Sequence, residues 1–236
     1  MKAVIIAGGK GMRLRPYTTA FPKPLMPIGD KPVLEIIVRQ LKAQGFNEIV
    51  MLVGYLCELI MAYFGDGSKF NVNITYCREE RSLGTVGGLS LIKRELDGTF
   101  LTINGDILTN LNFLDLVRSH NSNHAIATIA LKERQLPVNF GVVEMDGGNE
   151  IKGYTEKPTL VNLVSMGVNA FSSQVMQYIG LNGYLDFPNL IQKLIVDGQV
   201  VKGYVFDGYW LDIGSRDDYE RANREIEKIN GILGIS

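Results

Sequence analysis

The run Ala3-Val4-Ile5-Ile6-Ala7 is apolar at every position, with no alternation, so a strand built from it buries both of its faces. Inner strands of a parallel sheet meet that condition, and such sheets need helices on both sides. The next hundred residues supply them. Val33, Ile36, Ile37 and Leu41 recur at helical spacing, and the pattern closes at Gly45, a common residue just past a helix end. Glu48–Val53 reads as the next strand. It is followed by a helix at 56–64, a strand at 72–77, a helix after Gly87, a strand at 99–103 and a helix at 114–120. This strand–helix alternation predicts an α/β fold, a Rossmann-like, mostly parallel or mixed sheet flanked by helices.

Beyond His124 the texture changes. Residues 125–132, 140–145, 150–154 and 164–171 read as strands with few helices between them, which predicts an antiparallel or mixed extension packed on the first sheet. Helices return at 173–179, 187–196 and 215–229, with a strand at 200–205. No linker rich in Ser, Pro and charge interrupts the chain, and no hexapeptide period of a β-helix occurs. Residues 1–236 are therefore expected to form a single domain with two lobes, about 1–124 and 125–236.

Charge narrows the partners. Lys and Arg number 24 against 25 Asp and Glu, for a formal net charge of -1, so the excess positive surface of a nucleic-acid or anionic-membrane binder is missing. The apolar runs fall far short of the ~20 residues that cross a bilayer, and the N-terminus does not read as a secretory signal. Cys57 and Cys77 show no metal or disulfide spacing, so a cytoplasmic location is the expectation.

The first chemical signal follows the first strand directly. In Ala7-Gly8-Gly9-Lys10-Gly11-Met12-Arg13-Leu14, closely spaced glycines let backbone N–H groups converge on phosphate. Leu14 stands where a dinucleotide fingerprint needs Gly or Ala, and no Gly-Lys-Ser/Thr tripeptide occurs, which excludes a Walker A loop. Pro16, Pro22, Pro24 and Pro27 keep residues 10–30 from forming a helix. A long, stiffened loop of this kind is usually functional.

The continuation through Arg13, Pro16, Thr18 and the string Phe21-Pro22-Lys23-Pro24-Leu25-Met26-Pro27 resembles the N-terminal signature of the sugar-1-phosphate nucleotidylyltransferases. Among them the motifs come closest to the mannose-1-phosphate guanylyltransferases. The likeness extends over essentially the whole chain and implies Mg²⁺-dependent transfer of a nucleotidyl group from an NTP to a sugar 1-phosphate. It implies Arg13 and Lys23 as catalytic cations, on the pyrophosphate and the transferred α-phosphate, and Ala7, Gly8, Gly9 and Gly11 as nucleotide contacts. Such chemistry is largely positioning and charge neutralisation, and an Arg can fork two phosphate oxygens.

Two carboxylates match the family's metal-binding aspartates: Asp106 in Asn104-Gly105-Asp106 and Asp212 in Trp210-Leu211-Asp212-Ile213-Gly214. Hard oxygen ligands in an incomplete protein cage suit Mg²⁺. Glu79, with Gly84 and Thr85 in the Leu-Gly-Thr-Val-Gly-Gly run, matches the base-reading segment. A carboxylate there can accept from the two N–H donors on guanine's Watson–Crick edge, whereas uracil and thymine offer one, which tilts the expectation to GTP. For the sugar phosphate the resemblance implies Asn104, Gly141, Glu156, Lys157, Gly167 and Asn169.

Three positions depart from the family pattern: Met12 stands for Thr or Ser, Ser82 for Pro and Ser165 for Asn. Mannose 1-phosphate with GTP is the leading pair. Glucose 1-phosphate with UTP or dTTP, heptose 1-phosphate with GTP, and N-acetylmuramate 1-phosphate with UTP stay open. So does an inactive regulatory homologue, and the protein is expected to be a monomer or homo-oligomer.

Overall fold

The structure, a computed structural model, describes residues 1–233. The chain runs β1 (Lys2–Ala7), the short pair β2 (Pro27–Ile28) and β3 (Lys31–Pro32), α1 (Val33–Ala43), β4 (Glu48–Val53), α2 (Cys57–Phe64), β5 (Asn73–Arg78), β6 (Thr99–Asn104), β7 (Ile107–Thr109) and α3 (Phe113–Ser122). The second half holds β8 (Ala127–Pro137), β9 (Val142–Met145), β10 (Ile151–Thr155), β11 (Thr159–Ser172), α4 (Phe187–Val196), β12 (Val201–Val205), β13 (Trp210–Asp212), α5 (Arg216–Arg224) and α6 (Ile226–Leu233).

Seven strands form one sheet in the order β12-β8-β11-β6-β1-β4-β5. As its unbroken apolar run requires, β1 lies inside the sheet, parallel to both β4 and β6, with Ala3, Val4 and Ile5 fully buried. Apolar side chains collect in two buried clusters. One centres on Ile5, α1, α2 and α3; the other centres on Val4, Phe100, Phe171 and α4.

The second lobe does not pack on the first sheet as a separate layer. It continues that sheet, because β11 pairs antiparallel with β6 and with β8, and β12 pairs parallel with β8. Other expectations shift locally. The helix expected after Gly87 is a 3₁₀ segment, Gly87–Glu95, kinked at Ile92, consistent with two glycines in its first turn. The helix expected at 173–179 is a single 3₁₀ piece, Ser173–Gln177. The one expected at 215–229 divides at Glu225 into α5 and α6. A Ser215/Asp218 capping box starts α5. The strand expected at 140–145 begins only at Val142, and the one expected from 164 reaches back to Thr159.

The outer halves of β8 and β11 extend as an arm whose end carries the β9–β10 hairpin, exposed along its length. His120 lies at the other end of β8. Ser172 Oγ donates to the Ala125 carbonyl at 2.8 Å, so it is left to accept from His120 Nε2, 3.0 Å away; Nδ1 then accepts from Thr128 Oγ1 at 3.0 Å. Burial holds this imidazole below its ordinary pKa range. It is a neutral tie between α3 and the sheet.

Candidate active site

The C-terminal ends of β1 and β6 open onto a crevice, as the parallel arrangement requires. Gly105 N–H donates to the Ile6 carbonyl at 2.9 Å, so the glycine loop after β1 and the polar turn after β6 start side by side. A cavity of about 300 Å³ lies there. It is lined by Ala7, Gly8, Gly9, Lys23, Glu79, Gly84, Thr85, Asn104 and Asp106, together with Ser82, Tyr184 and Asp186. A smaller cavity of about 180 Å³ shares Ile6, Thr85 and Asn104 with it and adds Gly167, Asn169, Trp210 and Asp212.

The two aspartates are more than a hundred residues apart in sequence and meet because β7 pairs antiparallel with β13. Asp212 stands opposite Ile107, and Ile213 N–H donates to the Asp106 carbonyl at 3.0 Å. Lys23 lies between them. Its Nζ bonds Asp106 Oδ2 and is 3.9 Å from Asp212 Oδ1, with only 13% of its side chain exposed. A 3₁₀ turn between Pro22 and Met26 sets its direction. Arg13, in the 3₁₀ turn Met12–Leu14, lies over Gly214: a Cβ built there would be 3.4 Å from its Nη2 and 3.4 Å from Asp212 Oδ1. Thr18 Oγ1 closes this loop by donating to the Gly11 carbonyl at 2.8 Å. Met12, at the family's hydroxyl position, points into solvent with 54% of its surface exposed.

Burial, with the Asp106 charge beside it, pushes the Asp212 carboxyl above its usual range, although Lys23 and Arg13 pull the other way. Asp106 Oδ1 and Asp212 Oδ1 are both buried without a hydrogen-bond partner. Two orphaned carboxylate oxygens beside a phosphate-sized crevice suit a divalent cation that completes its shell with substrate and water. No cluster of three or more acidic, His or Cys ligands occurs among the described residues.

At the other end of the larger cavity Glu79 packs beside Gly8 and Gly88. Burial pushes its carboxyl up, and the Leu83 N–H makes only a long 3.5 Å contact with it. The loop around Gly84 is fastened to a strap from the second lobe. Leu185 N–H donates to the Leu83 carbonyl, Val86 and Gly87 N–H donate to the Leu185 carbonyl, and Thr85 N–H donates to Asp186 Oδ1 at 3.1 Å. Thr85 Oγ1 in turn accepts from Phe187 N–H at 2.6 Å. Tyr184 Oη donates to Asp186 Oδ2 at 2.7 Å. Tyr184 and Asp186 escaped the sequence reading because an isolated Tyr-Leu-Asp before a helix looks like an ordinary cap, and only the fold brings it to Gly84.

In the smaller cavity Gly167 takes φ +73, where the β11–β8 register shifts, and a Cβ there would come within 2.7 Å of Asn104 Nδ2. Asn169 Nδ2 donates to Thr102 Oγ1 at 3.3 Å, and its Oδ1 is buried without a partner. The other three sugar-side candidates stand apart. Gly141 lies against the hydroxyl end of Tyr154, Tyr154 Oη donates to Glu156 Oε2 at 2.9 Å, and Lys157 is 3.9 Å from Glu156 with 67% of its side chain exposed. None of Gly141, Glu156 and Lys157 lines either cavity.

Known proteins share this architecture. Residues 2–229 match the family described as nucleotidyl transferase. A protein of Synechocystis sp. named UTP--glucose-1-phosphate uridylyltransferase is 36% identical, over 100% of this chain and 66% of its own length. A rice protein, Oryza sativa subsp. japonica, named probable mannose-1-phosphate guanylyltransferase 1 is 33% identical, over 93% of this chain and 63% of its own. The chain thus spans just under two thirds of these curated relatives. The crystal structure of a putative glucose-1-phosphate thymidylyltransferase from Bacillus anthracis superposes with a TM-score of 0.78 at 26% identity, covering 95% of this chain and 94% of that one. With the glycine loop, Lys23 and the aspartate pair converging on one crevice, the chain belongs to the nucleotidyl transferase family.

Proposed function

We propose that this crevice transfers a guanylyl group from GTP to mannose 1-phosphate and releases pyrophosphate. The observation that carries the transfer chemistry is the convergence of Lys23, Arg13, Asp106 and Asp212 at the mouth of a glycine-lined cavity. In this reading a phosphate oxygen of the sugar phosphate forms the new bond to the α-phosphorus, and the bond from that phosphorus to the departing pyrophosphate oxygen breaks in line. Lys23 neutralises the α-phosphate, Arg13 forks the pyrophosphate oxygens, and the backbone N–H groups of Gly8, Gly9 and Gly11 hold the triphosphate. Asp106 and Asp212 would hold Mg²⁺, which supplies neutralisation of the phosphate charge when bound. No protein nucleophile is needed. All four charged groups are present and gathered, which favours catalysis over an inactive regulatory homologue.

Glu79 at the end of the cavity, with Gly84 and Thr85, supports guanine. The name of the Synechocystis relative supports a second pair, UTP with glucose 1-phosphate. In the smaller cavity Asn104, Gly167 and Asn169 would face the sugar. Glu156, Lys157 and Gly141 would join them by closure of the β9–β10 hairpin over the cleft.

The test is pyrophosphate release from a matrix of NTPs against sugar 1-phosphates, run on the wild type and on Glu79→Gln. GTP with mannose 1-phosphate is the expected preferred pair, and Glu79→Gln is expected to lower the preference for GTP over UTP by about 10- to 100-fold, since a hydrogen bond to a charged group contributes ~1.5–3 kcal/mol. A wild-type preference for UTP overturns the base assignment, and no turnover with any pair overturns the function.

A further inference from the structure

The smaller cavity has an acidic end at Asp212, yet its expected ligand is an anion. Lys23 is already bound to Asp106, and Lys157, between β10 and β11, is exposed and does not line the cavity. Another cation lies against a side chain that lines the cavity. The guanidinium carbon of Arg134 lies 5.0 Å from the centroid of the Trp210 ring, and Trp210 lines the cavity together with Asn104, Gly167 and Asp212. The indole is itself fixed, because its Nε1–H donates to the Met166 carbonyl at 3.0 Å.

Strand geometry explains why Arg134 reaches the Trp210 ring. Lys132, two residues earlier on β8 and hence on the same face, reaches the same segment of chain, with its Nζ 5.9 Å from the Phe206 ring centroid and bonded to the Asp207 carbonyl. Lys132 is thereby engaged. Arg134 is exposed, and among the described residues its guanidinium makes no hydrogen bond or ion pair. A guanidinium over an aromatic face is oriented by the ring while its N–H groups stay available for bidentate contact with phosphate.

We propose that Arg134, held on Trp210, binds the phosphate of the sugar 1-phosphate at the mouth of the smaller cavity. This assignment rests on the nucleotidyl-transfer function above and names the residue that brings the acceptor to it. It also makes Trp210 a reporter, since the chain contains one tryptophan.

The experiment is a titration of Trp210 fluorescence with mannose 1-phosphate, glucose 1-phosphate and inorganic phosphate, with mannose as the uncharged control. It compares the wild type with Arg134→Ala and Arg134→Lys. The expected result is binding of at least one sugar phosphate by the wild type, weakened at least about 10-fold in Arg134→Ala and partly restored in Arg134→Lys. Affinity for GTP and the thermal unfolding midpoint stay unchanged, and in turnover the loss falls on KM for the sugar phosphate rather than on kcat. Equal sugar-phosphate affinities in the wild type and Arg134→Ala, or an equal loss of GTP affinity, overturn the proposal, as does a wild type that binds none of the three anions. Arg134-dependent binding without turnover would count against the proposed function alone.

Discussion

Lys23→Ala is expected to lower kcat about 10³-fold while the protein remains folded, in the range found when a preorganised charge on a transition state is removed. Among the described residues, Lys23 is the one cation paired with both aspartates, through a direct bond to Asp106 and a 3.9 Å approach to Asp212. Its removal leaves two carboxylates forced together by the β7–β13 pairing, with Arg13 as the remaining nearby cation. Two consequences follow. In the proposed reaction the α-phosphate loses its point charge, and the Asp212 carboxyl, already pushed up by burial and by Asp106, is pushed further. Because the lost contact is to charge that develops during transfer, kcat and kcat/KM should fall together, with little change in KM for the nucleotide. Steady-state pyrophosphate release, with circular dichroism to verify folding, measures this. A kcat within 10-fold of wild type would show that Lys23 is only a structural cation.

Gly84→Ala is expected to weaken nucleotide binding at least about 10-fold and to lower stability by ~1–2 kcal/mol, the cost of a left-handed conformation for a residue with a Cβ. Gly84 sits at φ +81, and a Cβ would lie 2.5 Å from the Leu185 carbonyl oxygen and 2.7 Å from its carbon. Those are backbone atoms, fixed by hydrogen bonds from Val86 and Gly87 and to Leu83, so they have little freedom to yield. The strap carrying Tyr184 and Asp186 must therefore separate from the loop around Gly84, which widens the cavity where Glu79, Ser82 and Thr85 converge. Equilibrium binding of GTP, alongside denaturant unfolding, checks both effects. Sugar-phosphate affinity should change less, because the smaller cavity keeps Gly167, Asn169 and Trp210. Unchanged GTP affinity would mean that the strap does not shape the nucleotide pocket.

The parallel half of the fold was legible because its signals are local. An unbroken apolar β1 and a one-sided α1 each state their burial in their own residues, and the glycine loop follows β1 directly. The pairing of β7 with β13 was not legible, since three-residue strands carry no periodicity, yet it is what brings Asp106 to Asp212. The Gly87–Glu95 segment has helix-like apolar spacing, but glycines at its start and the kink at Ile92 leave it as 3₁₀. Tyr184, Asp186 and Arg134 were missed for a common reason. Asp186 meets Thr85, Tyr184 is carried to the larger cavity beside it, and Arg134 meets Trp210, and no sequence window contains these long-range placements. Lys157 presents the converse: its Glu-Lys-Pro segment matches the family pattern in sequence, while its side chain is exposed and lines neither cavity.

Direct in-line transfer makes a demand that a labelled substrate meets or fails. GTP labelled at its α-phosphorus, incubated with the wild-type protein, Mg²⁺ and mannose 1-phosphate, is expected to deliver the label to the nucleotide sugar. One pyrophosphate should be released for each nucleotide sugar formed, and none without the sugar phosphate. Label found on the protein or in free GMP, or pyrophosphate released in the absence of the sugar phosphate, would contradict direct transfer between two substrates held in this crevice.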